Sequence, residues 1–472
     1  MKISKMTSRV LLGAALVGAA ATVAGAEETL RSLAEERGRY IGAILNSEWF
    51  GGGWGGALEP EFEEIHKAQF NAVVAENEMK FDATEPNQNT FSYDKGDKMV
   101  TYAQENKMRV RGHALAWHSQ VPAWVDNIRS KSDLLNVLKN HIDNVVTHYK
   151  GQVAEWDVVN EAINDDNDHG WRSTGSVWFK NIGAEFLDSA FVWAHAADPD
   201  AELCYNDYAI EWGIGEGSKA GFLLKQVDHW IENNIPITCV GTQTHIEISH
   251  ESTPANVRTL AQELAKRNIV LNITELDIGF PQGSASSLGA SDYEKQGHLY
   301  RQFMDVFLEE PNMGEFMIWG VTDAHSWLDG SQGKTQGLIY DKQYNKKPAY
   351  DSLVASLKAH PASEVKSPYG TVTPADTSAS DTAAVDTAAH DTTTTSFIAS
   401  KGETLGMTLS GRTLSVIGAN SAKVEVFNLQ GRPVFSEIVT KGSVELSKLT
   451  NGMYVVRIMD GSRAMQRRVV IK

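Results

Sequence analysis

An α/β architecture, a (β/α)8 TIM barrel followed by a linker and a small all-β domain, is the fold predicted by three features of this 472-residue chain. Eight short β-rich runs alternate with helical patterns up to about residue 360. A stretch dominated by Thr, Ser, Ala and Asp then interrupts the pattern, and short β runs without helical periodicity complete the chain. With 42% hydrophobic residues, there is enough apolar side chain for one large core and a second, smaller one.

At the start, Lys2, Lys5 and Arg9 precede an apolar run over 10–23 and then Ala24, Gly25 and Ala26, the small-x-small pattern of a cleavage site. Residues 1–26 therefore read as a signal peptide. The competing reading is a membrane anchor, but the run is shorter than the roughly 20 residues a spanning helix needs.

The barrel is expected over 27–360, with strands near 39–43, 72–76, 109–113, 155–159, 202–206, 240–243, 270–274 and 315–319. Apolar residues recur at helical spacing over 134–148, 186–197, 221–231, 257–265 and 293–307, between those strands. Residues 361–396, with Asp376, Asp381, Asp386 and Asp391 evenly spaced, read as an acidic flexible linker. In the last domain, 397–472, β runs fall near 413–417, 424–427, 434–435, 454–458 and 469–471.

Lys and Arg total 43 against 60 Asp and Glu, a net charge of −17 that disfavours a nucleic-acid partner and suits a neutral substrate. Cys204 and Cys239 are the only cysteines, too few for a disulfide scaffold or a zinc site. Both fall in expected strands, so the simplest reading is two buried thiols, with a disulfide left open. No phosphate loop or Gly-x-Ser-x-Gly elbow occurs, and neither a metal nor a cofactor is expected.

A barrel presents its active site at the carboxyl ends of its strands. Polar residues collect there: Glu76, Asn77 and Lys80 after the second strand, His113, Trp117 and His118 after the third, Asn160 and Glu161 after the fourth. Gln243 and His245 follow the sixth, Glu275 and Asp277 the seventh, and Trp319 the eighth. A single one of these would pass for a solvated loop group; six strands doing so together point to a site. Glu161 and Glu275, on opposite sides of the mouth, suit glycosidic cleavage, in which one acid protonates the leaving oxygen while a carboxylate attacks the anomeric carbon. Retention requires the two carboxyls about 5–5.5 Å apart, inversion about 6.5–9.5 Å. Residues two apart on a strand share a face, so Asp277, His245 and Glu275 can form one hydrogen-bonded row. Trp117, Trp319 and Trp327 are candidate platforms for sugar rings, with core packing as their alternative role.

The run Val-Leu-Asn-Ile-Thr-Glu-Leu-Asp-Ile over 270–278 closely resembles the nucleophile signature of glycoside hydrolase family 10, and residues 156–161 resemble its acid/base motif. Residues 76–80, 113–118, 205–208 and 319–327 match in the same order, so the resemblance covers roughly 30–357. It implies an endo-β-1,4-xylanase acting on xylan and xylo-oligosaccharides by retention. Glu275 would be the nucleophile and Glu161 the acid/base. His245 and Asp277 would support Glu275, Gln243 would partner Glu161, and Asn160 would hold the sugar 2-hydroxyl. Glu76, Asn77, Lys80, His113, Trp117, Gln120, Tyr208, Trp319 and Trp327 would bind substrate, with Lys80 and the tryptophans crowding a C5 substituent so that xylose is favoured over glucose. The chain departs from the family pattern at Phe81, usually Trp, and at Ala324, His325 and Leu328 around Ser326 and Trp327, which touches the edge of the cleft.

The final domain is basic beside an acidic barrel, and its runs 424–432 and 449–458 resemble the sorting domains of the type IX secretion route of some Gram-negative bacteria. That resemblance implies a secreted or cell-surface bacterial protein in contact with secretion machinery or a cell-surface partner, while a carbohydrate-binding module is the alternative for this domain. For the whole chain, a β-1,4-glucanase, an aryl-glycosidase and a non-catalytic glycan-binding barrel are the alternatives. A binding barrel would typically lack one of the two carboxylates.

Overall fold

In the structure, a computed structural model, residues 28–46, 59–166, 169–329, 332–361 and 367–369 are described. The C-terminal part is described over 406–410, 412–417, 421–427, 433–440, 442–450, 452–460 and 463–471. The expected signal peptide and all of the expected linker except 361 and 367–369 lie outside these residues.

Eight parallel strands close on themselves: β1 (Tyr40–Leu45), β2 (Ala72–Ala75), β3 (Arg109–Trp117), β4 (Glu155–Asn160), β5 (Glu202–Asp207), β6 (Cys239–Thr242), β7 (Val270–Pro281) and β8 (Met313–Ile318). Closure is made by β1 against β8, with Gly42 opposite Met317, and by β7 against β8. Both faces of such strands are covered, which is why β2 reads Ala-Val-Val-Ala and is buried throughout. Around them run the helices Lys131–His148, Glu185–Ala197, Lys219–Glu232, Thr253–Ala265 and Ala290–Glu309. Ser130 and Ser218 cap the first and third of these by accepting from backbone N–H groups in the opening turn.

All eight expected strands are present. The seventh is longer than its apolar run suggests: it continues past residue 274 because its outer half pairs with two short strands, His245–Glu247 and Lys334–Thr335. Glu275 and Asp277 consequently lie inside a strand, on a backbone fixed from both sides.

Cys204 on β5 faces Cys239 on β6 in register, and the two form a disulfide with their Cα atoms 4.4 Å apart. The reading as two free buried thiols is corrected by strand register, which the chain alone does not reveal.

The C-terminal unit has two antiparallel sheets. One contains Gly406–Ser410, Thr413–Ile417 and Ser443–Glu445; the other runs in the order Pro433–Thr440, Ser421–Phe427, Gly452–Asp460, Arg463–Ile471. Alternate residues Ala422, Val424 and Val426 meet Leu414, Tyr454, Val456 and Ile458 in one small core, so Tyr454 is a core aromatic. No helix among the described residues is long and apolar enough to cross a membrane.

Candidate active site

The carboxyl ends of β4, β5 and β7 bring Glu161, Asn206 and Glu275 together. Glu161 follows β4 with φ +54°, a left-handed conformation that costs a non-glycine residue roughly 1–2 kcal/mol. Two contacts hold it there: its N–H donates to the Asn206 carbonyl at 2.9 Å, and Arg172 Nε donates to its carbonyl at 3.0 Å. The Glu161 carboxylate accepts from Gln243 Nε2 and from Trp117 Nε1, each at 2.8 Å.

Asn206 ties the two halves of the site. Its amide donates to Glu275 Oε1 at 2.8 Å and to Asn160 Oδ1 at 3.0 Å, and its own oxygen accepts from Thr274 Oγ1 at 2.8 Å. A side chain on Gly241 would collide with Asn206 Oδ1, so glycine at that point of β6 leaves the space the bridge occupies.

The expected row on β7 is present. Asp277 Oδ2 accepts from His245 Nδ1 at 2.8 Å, His245 Nε2 lies 3.0 Å from Glu275 Oε2, and Trp327 Nε1 donates to Asp277 Oδ2 at 2.8 Å. Burial opposes the His245 charge, but Asp277 and Glu275 override it and bring its pKa up to about 10. The ring is therefore cationic at neutral pH and donates from both nitrogens.

Burial raises the Glu161 carboxyl above the ordinary glutamate range, aided by Asp207 and Glu275 and resisted by the bonds from Gln243 and Trp117. Burial acts in the same direction on Glu275, yet the His245 bond, the charges of His113 and His245, and Asn206 outweigh it and bring its pKa to about 2. The site thus holds one carboxyl that keeps its proton longer than usual and one that is ionised throughout the physiological range.

On one flank, Lys80 Nζ donates to Asn77 Oδ1 at 3.0 Å and sits 4.9 Å from the Trp117 ring, Gln120 reaches the same Asn77 oxygen at 3.4 Å, and Asn46 bonds Glu76. Burial lowers the Lys80 pKa, against the pull of Glu275, Glu76 and Glu161. His113 meets Asp157 Oδ2 through Nδ1 at 2.8 Å and the edge of Trp319 at 5.6 Å. Trp327 tilts against His245 at 4.6 Å. On the other flank, Tyr208 accepts from Arg172 Nη2 at 2.9 Å and donates to Asp165. The expected site residues fall into these groups: His113, Glu275 and Asp277 stand inside their strands, Trp327 lies in a short helical turn (Trp327–Asp329) beyond β8, and the rest stand at or just past strand ends.

The departures have partners of their own. Phe81 stacks on His141 with ring centroids 3.6 Å apart, His325 contacts Glu59 at 3.1 Å, and Leu328 is fully buried.

Asn206, Asp157, Asn46 and Arg172 were not singled out by sequence reasoning. Asn206 and Asp157 stand in the runs 205–208 and 156–161 that were noticed, but a polar residue within a strand acquires a role only when its neighbours are known. Among the described residues one His/Cys/Asp/Glu group has metal-like spacing, Glu155 with Cys204 and Cys239, and the disulfide consumes both of its sulfurs.

Residues 29–356 match the model for glycosyl hydrolase family 10, and residues 409–472 match that for a secretion system C-terminal sorting domain. The chain is 35% identical over 345 residues to endo-1,4-beta-xylanase B of Thermotoga neapolitana, covering 72% of this chain and 94% of that one. It is 34% identical over 359 residues to endo-1,4-beta-xylanase 1 of Humicola insolens, covering 75% and 79%. It also resembles the crystal structure of native xylanase 10B from Thermotoga maritima, with TM-score 0.65 and 35% identity over 70% of this chain and 98% of that one.

Proposed function

The chain belongs to glycosyl hydrolase family 10, and on that premise we propose that it is an endo-1,4-β-xylanase working by double displacement with retention. The observation that carries this reading is the pair of carboxyls at the end of β4 and on β7 that Asn206 ties together, Glu161 held by Gln243 and Trp117 and Glu275 by His245, with the Glu161 pKa raised and the Glu275 pKa lowered. Glu161 gives its proton to the leaving oxygen while Glu275 attacks the anomeric carbon, forming a glycosyl ester. Glu161, now ionised, then takes a proton from the water that breaks that ester. His245, itself held by Asp277, keeps Glu275 charged and oriented. Gln243 and Trp117 fix the acid/base, and Asn160 faces the 2-hydroxyl.

Lys80, Trp319 and Trp327 bound the space a C5 hydroxymethyl group would need, which favours xylose. Product release from purified xylan and from soluble cellulose, assayed in parallel, tests this. Xylo-oligosaccharides from xylan alone are expected; equal cleavage of both would make the protein a broader β-1,4-glycanase, and none from either a glycan-binding barrel.

The reading extends to the C-terminal domain, 397–472, as a sorting signal that delivers the enzyme to the cell surface or medium of a bacterium. Deleting it is expected to leave xylan cleavage intact and to retain the enzyme in the producing cells. Normal export without it would contradict the assignment.

A further inference from the structure

Beneath the reaction site a line of buried charge runs down the barrel axis to a residue outside the family match, which ends at 356. At the lower end, Asn272 Nδ2 donates to Tyr369 Oη at 2.7 Å and to Glu155 Oε1 at 2.9 Å. The Arg109 guanidinium stacks 4.2 Å from the Tyr369 ring centroid and pairs with Glu315. Gly314 leaves room for that ring, since a side chain there would strike it. From this lower layer Arg111 reaches upward: its Nη1 lies 3.2 Å from Glu155 Oε1, and its other nitrogens pair with Asp157. Asp157 in turn accepts from His113 Nδ1 at 2.8 Å, and His113 is one of the groups whose charge holds Glu275 ionised.

We propose that Tyr369, on the segment leading out of the barrel, plugs its lower mouth and acts as a positioning residue for the reaction site, through the column Glu155, Arg111, Asp157 and His113. The proposal rests on the reading above of His113 as part of the sugar-binding flank.

Two physical points support it. Glu155, Arg111, Asp157 and His113 are all buried, so each pairing depends on its neighbours far more than a surface pair does. The column also contains three carboxylates, Glu155, Asp157 and Glu315, against two guanidiniums, Arg109 and Arg111. Burial and Glu315 push the Glu155 carboxyl up to about 8, with Arg111, Arg109 and the Tyr369 hydroxyl working against them. Loss of the hydroxyl removes one of the groups that resist this rise, so Glu155 holds its proton more firmly. The more fully Glu155 is protonated, the more Arg111 is left to Asp157, and the anchor of His113 changes with it.

The test compares the full chain with Tyr369→Phe, which keeps the ring over Arg109 and removes only the hydroxyl, and with Tyr369→Ala. Three quantities are read: kcat and KM on xylan well below the melting temperature, the melting temperature itself, and the ¹⁵N resonances of the His113 imidazole, identified by their loss in His113→Asn. In Tyr369→Phe a displaced His113 resonance is expected, with kcat/KM down roughly three- to tenfold, the scale of one buried network hydrogen bond. Tyr369→Ala is expected to lose more in both. A lower melting temperature with unchanged His113 resonances and unchanged kcat/KM would reduce Tyr369 to a structural plug and overturn the proposal. Should Tyr369→Ala fail to fold, Tyr369→Phe alone decides. A wild-type chain inactive on xylan would refute the xylanase reading instead, while the resonances still report on the column.

Discussion

Glu275→Gln is expected to abolish xylan turnover, lowering kcat by roughly 10⁴- to 10⁶-fold, the range that follows loss of a covalent nucleophile. The amide has nearly the volume of the carboxylate but cannot form the glycosyl ester. The loss corresponds to about 5–8 kcal/mol of barrier, so residual activity within a hundredfold of wild type would show that the bond is broken some other way. Circular dichroism on the same samples checks that the barrel is folded. The partners of Glu275 favour a folded variant: Asp277 still holds His245, and Asn206 retains Asn160 and Thr274.

Glu161→Gln is expected to lower kcat on xylan by roughly 10²- to 10⁴-fold, the usual weight of general acid–base assistance. An aryl β-xyloside separates its two roles, because a phenolate leaves without a proton. The first bond then breaks at close to the normal rate, and the glycosyl-enzyme accumulates as a burst, since no base remains to activate water. The pH profile carries the same information. In the wild type, kcat/KM rises as Glu275 ionises, near pH 2, and falls as Glu161 loses its proton above the ordinary glutamate range. In Glu161→Gln the falling limb disappears, leaving a plateau toward alkaline pH. A falling limb that survives the substitution would assign the acid to another group.

Much of this site is legible in the chain because a barrel converts strand ends into a single locus. Glu161, His245, Glu275 and Asp277 group together on sequence pattern alone, and the two-residue period of a strand aligns Glu275 with Asp277. What escapes the chain depends on lateral register. Asn206 becomes the bridge between the two carboxylates only when β5 is set between β4 and β6, with β7 beyond, and Cys204 finds Cys239 for the same reason. Trp117 was expected to offer a ring face to sugar, but its indole N–H is also committed to Glu161, a use that composition does not signal. The outer half of β7 was missed because it is stabilised by the short strands His245–Glu247 and Lys334–Thr335, which have no apolar pattern of their own. Gly406–Ser410 and Ser443–Glu445 lack a strand signal likewise, the first being rich in Gly, Ser and Thr and the second only three residues long. Tyr369 lies in a stretch whose composition reads as linker, and one aromatic is too little to reveal a docked segment.

The stereochemistry of the first product tests the central claim most directly. Proton NMR of xylo-oligosaccharide hydrolysis by the full chain, followed from the first seconds, distinguishes the two anomers before they equilibrate. Double displacement at Glu275 with Glu161 as acid/base predicts that the β-anomer appears first and the α-anomer grows only by mutarotation. Initial release of the α-anomer would mean direct attack by water, and would contradict the assignment of Glu275 as nucleophile.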